Sequence, residues 1–133
     1  MKKDIKFPDV EDVAMVVARE GDHVDDAWNV YLINMKKKPI SRVMITSKGY
    51  GESGGREVKT STLRHFFEVI NPRSFVKVEY FPDHLFGVSN EFWLSFYLDG
   101  LLHDKKYIFV TGSISEENLI TIPLLKLPGV MIK

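Results

Sequence analysis

Phe92, Leu94, Phe96 and Leu98 alternate with Trp93, Ser95 and Tyr97, and the run stops at Asp99-Gly100. Side chains that alternate with period two line opposite faces of a β-strand. Asp-Gly suits a type I′ turn, whose two central residues both take positive φ. Together these features predict a β-hairpin with a return strand through Leu102 to Val110. The rest of the chain must then supply the sheet in which that hairpin sits.

Short aromatic and β-branched runs separated by Gly, Pro, Asn and Asp recur along the sequence, as in an all-β domain. Val13 to Arg19 sets Val13, Met15 and Val17 against Ala14, Val16 and Ala18, a strand buried on one or both faces. Trp28 to Asn34 puts Trp28, Val30 and Leu32 on one face and Asn29, Tyr31 and Ile33 on the other. After a turn through Lys36-Lys37-Lys38-Pro39, alternation resumes from Ile40 to Ser47. Lys48 to Gly55 holds four glycines in eight residues and reads as a surface loop. Thr60 to Asn71 carries both periods, since Leu63, Phe66, Phe67 and Ile70 have helical spacing. Thr60-Ser61-Thr62 disfavours a helix interior, so a strand, or a strand with a bulge, is expected, with a helix as the alternative. Phe75 to Tyr80 is expected to point Val76, Val78 and Tyr80 inward and Lys77 and Glu79 outward. Ser113-Ile114-Ser115-Glu116 has capping-box spacing for one short helical turn near 113–118. Leu119 to Leu125 is expected to add a last strand, confined to an edge by Pro123.

At 133 residues, the chain is read as one domain over 1–133, large enough for a core without a metal or disulfide staple. The sequence has no Cys, which removes thiol catalysis and Cys-ligated metal centres. Eighteen basic residues balance eighteen acidic ones, so nothing favours a nucleic acid or an anionic membrane as partner. No stretch approaches the ~18 consecutive apolar residues of a membrane-spanning helix. Asp9, Glu11 and Asp12 stand where a secretory signal would be apolar, and a cytoplasmic location is expected.

Two resemblances sharpen the expectation of fold. Trp28-Asn29-Val30-Tyr31-Leu32-Ile33-Asn34, then Pro39-Ile40-Ser41-Arg42-Val43-Met44-Ile45, then Asn71-Pro72-Arg73-Ser74-Phe75-Val76-Lys77-Val78 resembles the layout of immunoglobulin-like adhesion-type domains. It covers about half the chain and implies an immunoglobulin-like antiparallel β-sandwich of about seven strands. The whole chain also resembles a family of small uncharacterised bacterial proteins. The similarity runs through the same Trp28 to Asn34 segment, Thr46-Ser47-Lys48-Gly49-Tyr50-Gly51, Lys59-Thr60-Ser61-Thr62-Leu63-Arg64-His65, and Asn118-Leu119 with Pro123-Leu124-Leu125. Some members carry the label phenylalanyl-tRNA synthetase alpha subunit. That activity needs a longer sheet, arginines that grip ATP and a basic surface for tRNA, none of which this sequence supplies. The resemblance implies a shared fold and carries over no catalytic residue.

The chemistry-bearing segments are few. Gly49-Tyr50-Gly51-Glu52-Ser53-Gly54-Gly55 lacks the Gly-Lys-Ser/Thr of a phosphate loop, and Glu52 would repel a phosphate, so a flexible hairpin connection is the better reading. Asp22-His23-Val24-Asp25-Asp26, Asp83-His84 and His103-Asp104 hold metal-ligand residue types without ligand spacing. Ser61 and His65 would meet only on a helix. Lys36-Lys37-Lys38 and Lys105-Lys106 suit the protection of strand edges at least as well as contact with a phosphate.

Tyr31, Trp93 and Tyr97 fall on outward faces by this phasing, and exposed aromatics mark binding surfaces because they bury much area at little entropy cost; the competing reading is a face covered by the chain's own termini or by the Gly49 to Gly55 loop. The sequence therefore favours a non-enzymatic protein-binding or self-assembly module that uses Tyr31, Trp93 and Tyr97 to hold a protein partner or a second copy, with no cofactor. The alternative is a small metal-dependent or hydrolytic enzyme built on His23, His84 and His103 with their Asp neighbours.

Overall fold

The computed structural model describes residues 8–133. The strands are β1 (Val13–Arg19), β2 (Trp28–Asn34), β3 (Ile40–Ser53), β4 (Arg56–Lys59), β5 (Leu63–Ile70), β6 (Ser74–Tyr80), β7 (Ser89–Leu98), β8 (Leu101–Phe109), β9 (Ile120–Thr121) and β10 (Pro128–Ile132). Short 3-10 turns occupy Asp83–Gly87 and Glu116–Asn118. The first sheet runs β6-β2-β1-β10-β9; the second runs β4-β3-β7-β8, with β5 also paired to β3. Every pairing is antiparallel. The all-β, two-sheet sandwich expected from the sequence is present, with ten strands among the described residues rather than about seven.

The two sheets share one core. Val13, Met15, Val17, Val30 and Leu32 of the first face Val43, Ile45, Phe92, Leu94, Phe96, Tyr107 and Phe109 of the second. Each set is one half of an alternating run, which is how period-two patterning assembles a sandwich. At the predicted hairpin, Asp99 (φ 51°) and Gly100 (φ 76°) make the turn and Leu98 pairs with Leu101.

The glycine-rich segment is not a loop. β3 continues through it to Ser53, turns at Gly54 (φ 60°) and Gly55 (φ 77°), and returns as β4. Only the Gly54-Gly55 pair needs left-handed backbone, so the glycines accommodate a tight hairpin rather than flexibility. β4 and β5 lie end to end along the same edge of β3. Tyr50 pairs with Lys59 and Ser47 with Leu63, so Thr60, Ser61 and Thr62 stand opposite only Lys48 and Gly49. This is the strand-with-bulge reading of residues 60–71. At the break Gly49 N donates to Thr60 Oγ1 at 2.7 Å and Thr60 N to Gly49 O at 2.9 Å.

Three further expectations change. The helical turn spans only Glu116–Asn118, and Ser115 at its start makes no side-chain cap. The strand expected over 119–125 shrinks to Ile120–Thr121, because Pro123 and the left-handed Leu124 (φ 67°) and Lys126 (φ 55°) turn the chain back into β10. In β6, Tyr80 points to solvent (59% exposed) and Glu79 points inward. The cause is a β-bulge. Val30 pairs with Glu79 but Tyr31 with Lys77, so Val78 is an extra residue and the strand changes phase there.

Among the described residues, no helix is long and apolar enough to cross a membrane.

Candidate functional site

The two sheets treat their outer faces differently. On the first sheet, Val16, Ala18, Tyr31 and Ile33 are roofed by the C-terminal segment through Ile122, Leu125 and Leu127. All of β1 is buried for this reason. Tyr31 sits on the face its phase predicted, yet it is 6% exposed and packs edge-on against Phe75 at 6.0 Å. Its expected exposure is therefore corrected: the chain's own C-terminal segment covers it. Tyr31 also lies on the opposite sheet from Trp93 and Tyr97, so the three do not form one surface.

Among the described residues, no segment roofs the outer face of the second sheet in this way. Phe66 on β5 pairs with Met44 on β3, and Met44 with Ser95 on β7. Trp93 and Tyr97 flank Ser95 on the same face, and Val69 reaches Tyr97 through Ser41. Phe66 is 60% exposed, Val69 52%, Trp93 46%, Met44 45% and Tyr97 36%, so a band of large apolar side chains crosses three strands in the open. Lys106 Nζ lies 4.8 Å from the Trp93 ring centroid and Arg42 lies over Tyr97 at 5.8 Å. Trp93 Nε1 also donates to Asp104. These contacts hold both rings in place.

A second feature lies between the sheets, beside the break at Thr60–Thr62. A cavity of about 220 Å³ is walled by Leu63, Tyr80, Pro82, Leu85 and Phe92, with Ser47, Lys48, Thr60, Ser61, Glu79, His84 and Asn90 as its polar members. The Val78 bulge puts Glu79 there, its side chain 10% exposed. Glu79 Oε1 accepts from Ser47 Oγ at 2.7 Å and from His65 Nε2 at 2.8 Å. Gly49 at its edge is closely packed, since a Cβ there would stand 2.9 Å from Thr60 Cγ2 and 3.2 Å from Val88 Cγ2.

Serine, histidine and glutamate together invite a hydrolytic reading, which the connectivity opposes. A nucleophilic serine needs its proton taken by histidine, with the carboxylate behind that histidine. Here the carboxylate stands between the other two, and Ser47 is 4% exposed. Ser61 lies in the break between β4 and β5, and His65 turns to Glu79.

The acidic and histidine segments come together only in part. Asp25, Asp26 and Asp83 border a small cleft with Trp28 and Tyr80. His84 turns to the cavity between the sheets, while His103 is buried elsewhere, stacked on Phe96 at 4.9 Å. Among the described residues, no group of three His, Asp or Glu side chains is arranged to hold a metal ion. Lys38 pairs with Asp99, Lys105 Nζ bonds to the Lys133 carbonyl, and Lys106 covers Trp93.

Sequence reasoning missed Glu79 and Asn90. Val76 to Tyr80 alternates without a flaw, and no residue type there signals a bulge. Phe66 and Val69 were obscured by the double periodicity of their segment, whereas Met44 already stood opposite Val43 and Ile45 in the alternation. No family model, curated protein or solved structure matches the chain.

Proposed function

We propose that the chain is a non-enzymatic assembly module that holds a second copy of itself through the outer face of the second sheet. The observation that carries this reading is the contrast between the two outer faces. A chain that roofs one face with its own C-terminal segment leaves Met44, Phe66, Val69, Trp93 and Tyr97 bare on the other. A contiguous apolar patch of this kind is what a partner covers.

Charge selects the partner. Arg42, Arg64 and Lys106 share the region with Glu68 and Asp104, and Arg64 and Lys106 end the same cross-strand row through Thr46 and Trp93. A rim of one sign would select an opposite partner. A rim of both signs around an apolar centre complements its own copy across a two-fold axis. Trp93 and Tyr97, already held by Lys106 and Arg42, lose little freedom on docking.

Sedimentation velocity across a wide concentration range tests the reading, comparing wild type with Phe66→Lys and with Trp93→Ser. The expected result is a wild-type mass that climbs to twice the monomer, with both variants monomeric and folded by circular dichroism. A wild type that stays monomeric, or variants that associate equally well, would overturn it.

A further inference from the structure

The geometry points to the cavity between the sheets as a binding site for a small organic cation, an alkylammonium or alkylguanidinium. This goes beyond self-association and uses different residues.

Among the described residues, two acceptors in its wall receive no hydrogen bond. Asn90 is 3% exposed, and its Nδ2 donates to Leu85 O at 2.8 Å and to Val88 O at 3.1 Å. Two backbone carbonyls thereby fix the amide orientation and leave Oδ1 as the free end. Among the described residues, nothing donates to Asn90 Oδ1. Glu79 is similar. Both of its hydrogen bonds converge on Oε1, and among the described residues nothing donates to Oε2. No side-chain nitrogen or oxygen of the described residues is both fully enclosed and unpaired, so both atoms keep contact with solvent space. Two acceptors that open toward the same cavity suit an occupant that donates to both in place of water.

The other walls define the rest of that occupant. Leu63, Leu85 and Phe92 offer apolar surface to a short stem, and the Tyr80 ring at the exposed rim offers a π-face to a cation. Glu79 supplies the opposite charge, and Ser47 and His65 hold its carboxylate in place. Lys48 also lines the cavity, but its Nζ pairs with Glu91 Oε2 at 3.5 Å, and the Glu79 carboxylate disfavours an anion. The cavity, about 220 Å³, is smaller than the ~300–1,000 Å³ of sites for drug-sized ligands. A four-carbon amine suits it better than a nucleotide or a sugar chain. A β-bulge that re-aims one side chain is a device by which sheets build such sites.

The test is a titration of the wild-type protein with n-butylammonium, n-butylguanidinium and neutral n-butanol, followed by amide chemical shifts. Saturable shifts confined to Ser47, Gly49, Glu79, Asn90 and their neighbours are expected for the two cations, at concentrations at least tenfold below those that butanol needs. In Glu79→Gln that preference should vanish while the weak butanol response remains. Equal responses to butanol and the cations, or shifts scattered away from the cavity, would overturn the assignment. The wild-type comparison decides the matter even if Glu79→Gln fails to fold. A monomeric protein that still prefers the cations would defeat the assembly reading and leave this one standing.

Discussion

The Tyr107 hydroxyl donates a 2.9 Å hydrogen bond to the carbonyl of Val13, tying β8 of one sheet to the first strand of the other through the core. Tyr107 is 1% exposed, and burial pushes its hydroxyl well above the ordinary tyrosine value of about 10. Tyr107→Phe leaves Val13 O without this donor in a buried place and should cost about 1–2 kcal/mol at neutral pH. The linkage has a definite sign. Below pH ~10 both states keep the proton; above it the unfolded chain releases the proton while the native state retains it, so stability falls as pH rises. Urea midpoints measured from neutral to strongly alkaline pH should therefore fall more steeply for wild type than for Tyr107→Phe, and the two should converge. Parallel curves would mean that Tyr107 titrates alike in both states.

Asn34 closes β2 and is fully buried. Its Nδ2 reaches the carbonyls of Lys38, Ile70 and Asn71 at 2.9, 3.2 and 3.1 Å, while Oδ1 accepts from Lys36 N at 3.0 Å. One side chain thus joins the end of a strand in the first sheet to the end of β5 in the second. Asn34→Ala removes the donor from these carbonyls and should cost about 2–3 kcal/mol. Asn34→Asp should cost at least as much, because a carboxylate cannot donate to them. Equilibrium denaturation of the two variants checks both. A loss below half a kilocalorie for Asn34→Ala would show that water replaces the amide.

Two glycines give opposite predictions. A Cβ on Gly129 would stand 2.8 Å from Val17 O and 2.9 Å from Ala18 Cα, and backbone cannot yield there without separating β1 from β10. Gly129→Ala should destabilise by about 1–3 kcal/mol. Gly87 ends a 3-10 turn without left-handed backbone and with open space around it, so Gly87→Ala should stabilise by about 0.4–1 kcal/mol through the unfolded chain. Thermal melts of the pair should move in opposite directions from wild type.

The architecture was legible where periodicity and turn chemistry agree. β1 and β2 have the predicted bounds, and the Asp99-Gly100 hairpin forms as its residue types require. Side-chain phase was legible too, as Tyr31 shows by lying on the expected face. Coverage was not, because the segment carrying Ile122, Leu125 and Leu127 reaches that face only after the chain has completed both sheets. Glu79 was lost to a different cause. Its inward turn follows from one extra residue in β6, and a register shift changes no residue type. The glycine-rich segment was legible as a hairpin connection but not as paired strand, because composition reports permitted backbone conformations, whereas pairing with β3 decides which one forms.

Ser47 provides a chemical check on the non-enzymatic reading. Serine-directed fluorophosphonates label a hydroxyl whose proton a neighbouring base removes as the oxygen attacks. The Ser47 hydroxyl instead donates at 2.7 Å to Glu79, an oxygen already shared with His65, so the imidazole cannot take its proton. The serine is also almost wholly enclosed. No labelling of folded protein is expected at Ser47, with the same result for Ser47→Ala and His65→Ala. Ser47→Ala should still leave Glu79 less firmly held and weaken n-butylammonium binding several-fold. Covalent labelling at Ser47 that disappears in His65→Ala would instead reveal a working serine–histidine pair and restore the hydrolytic alternative.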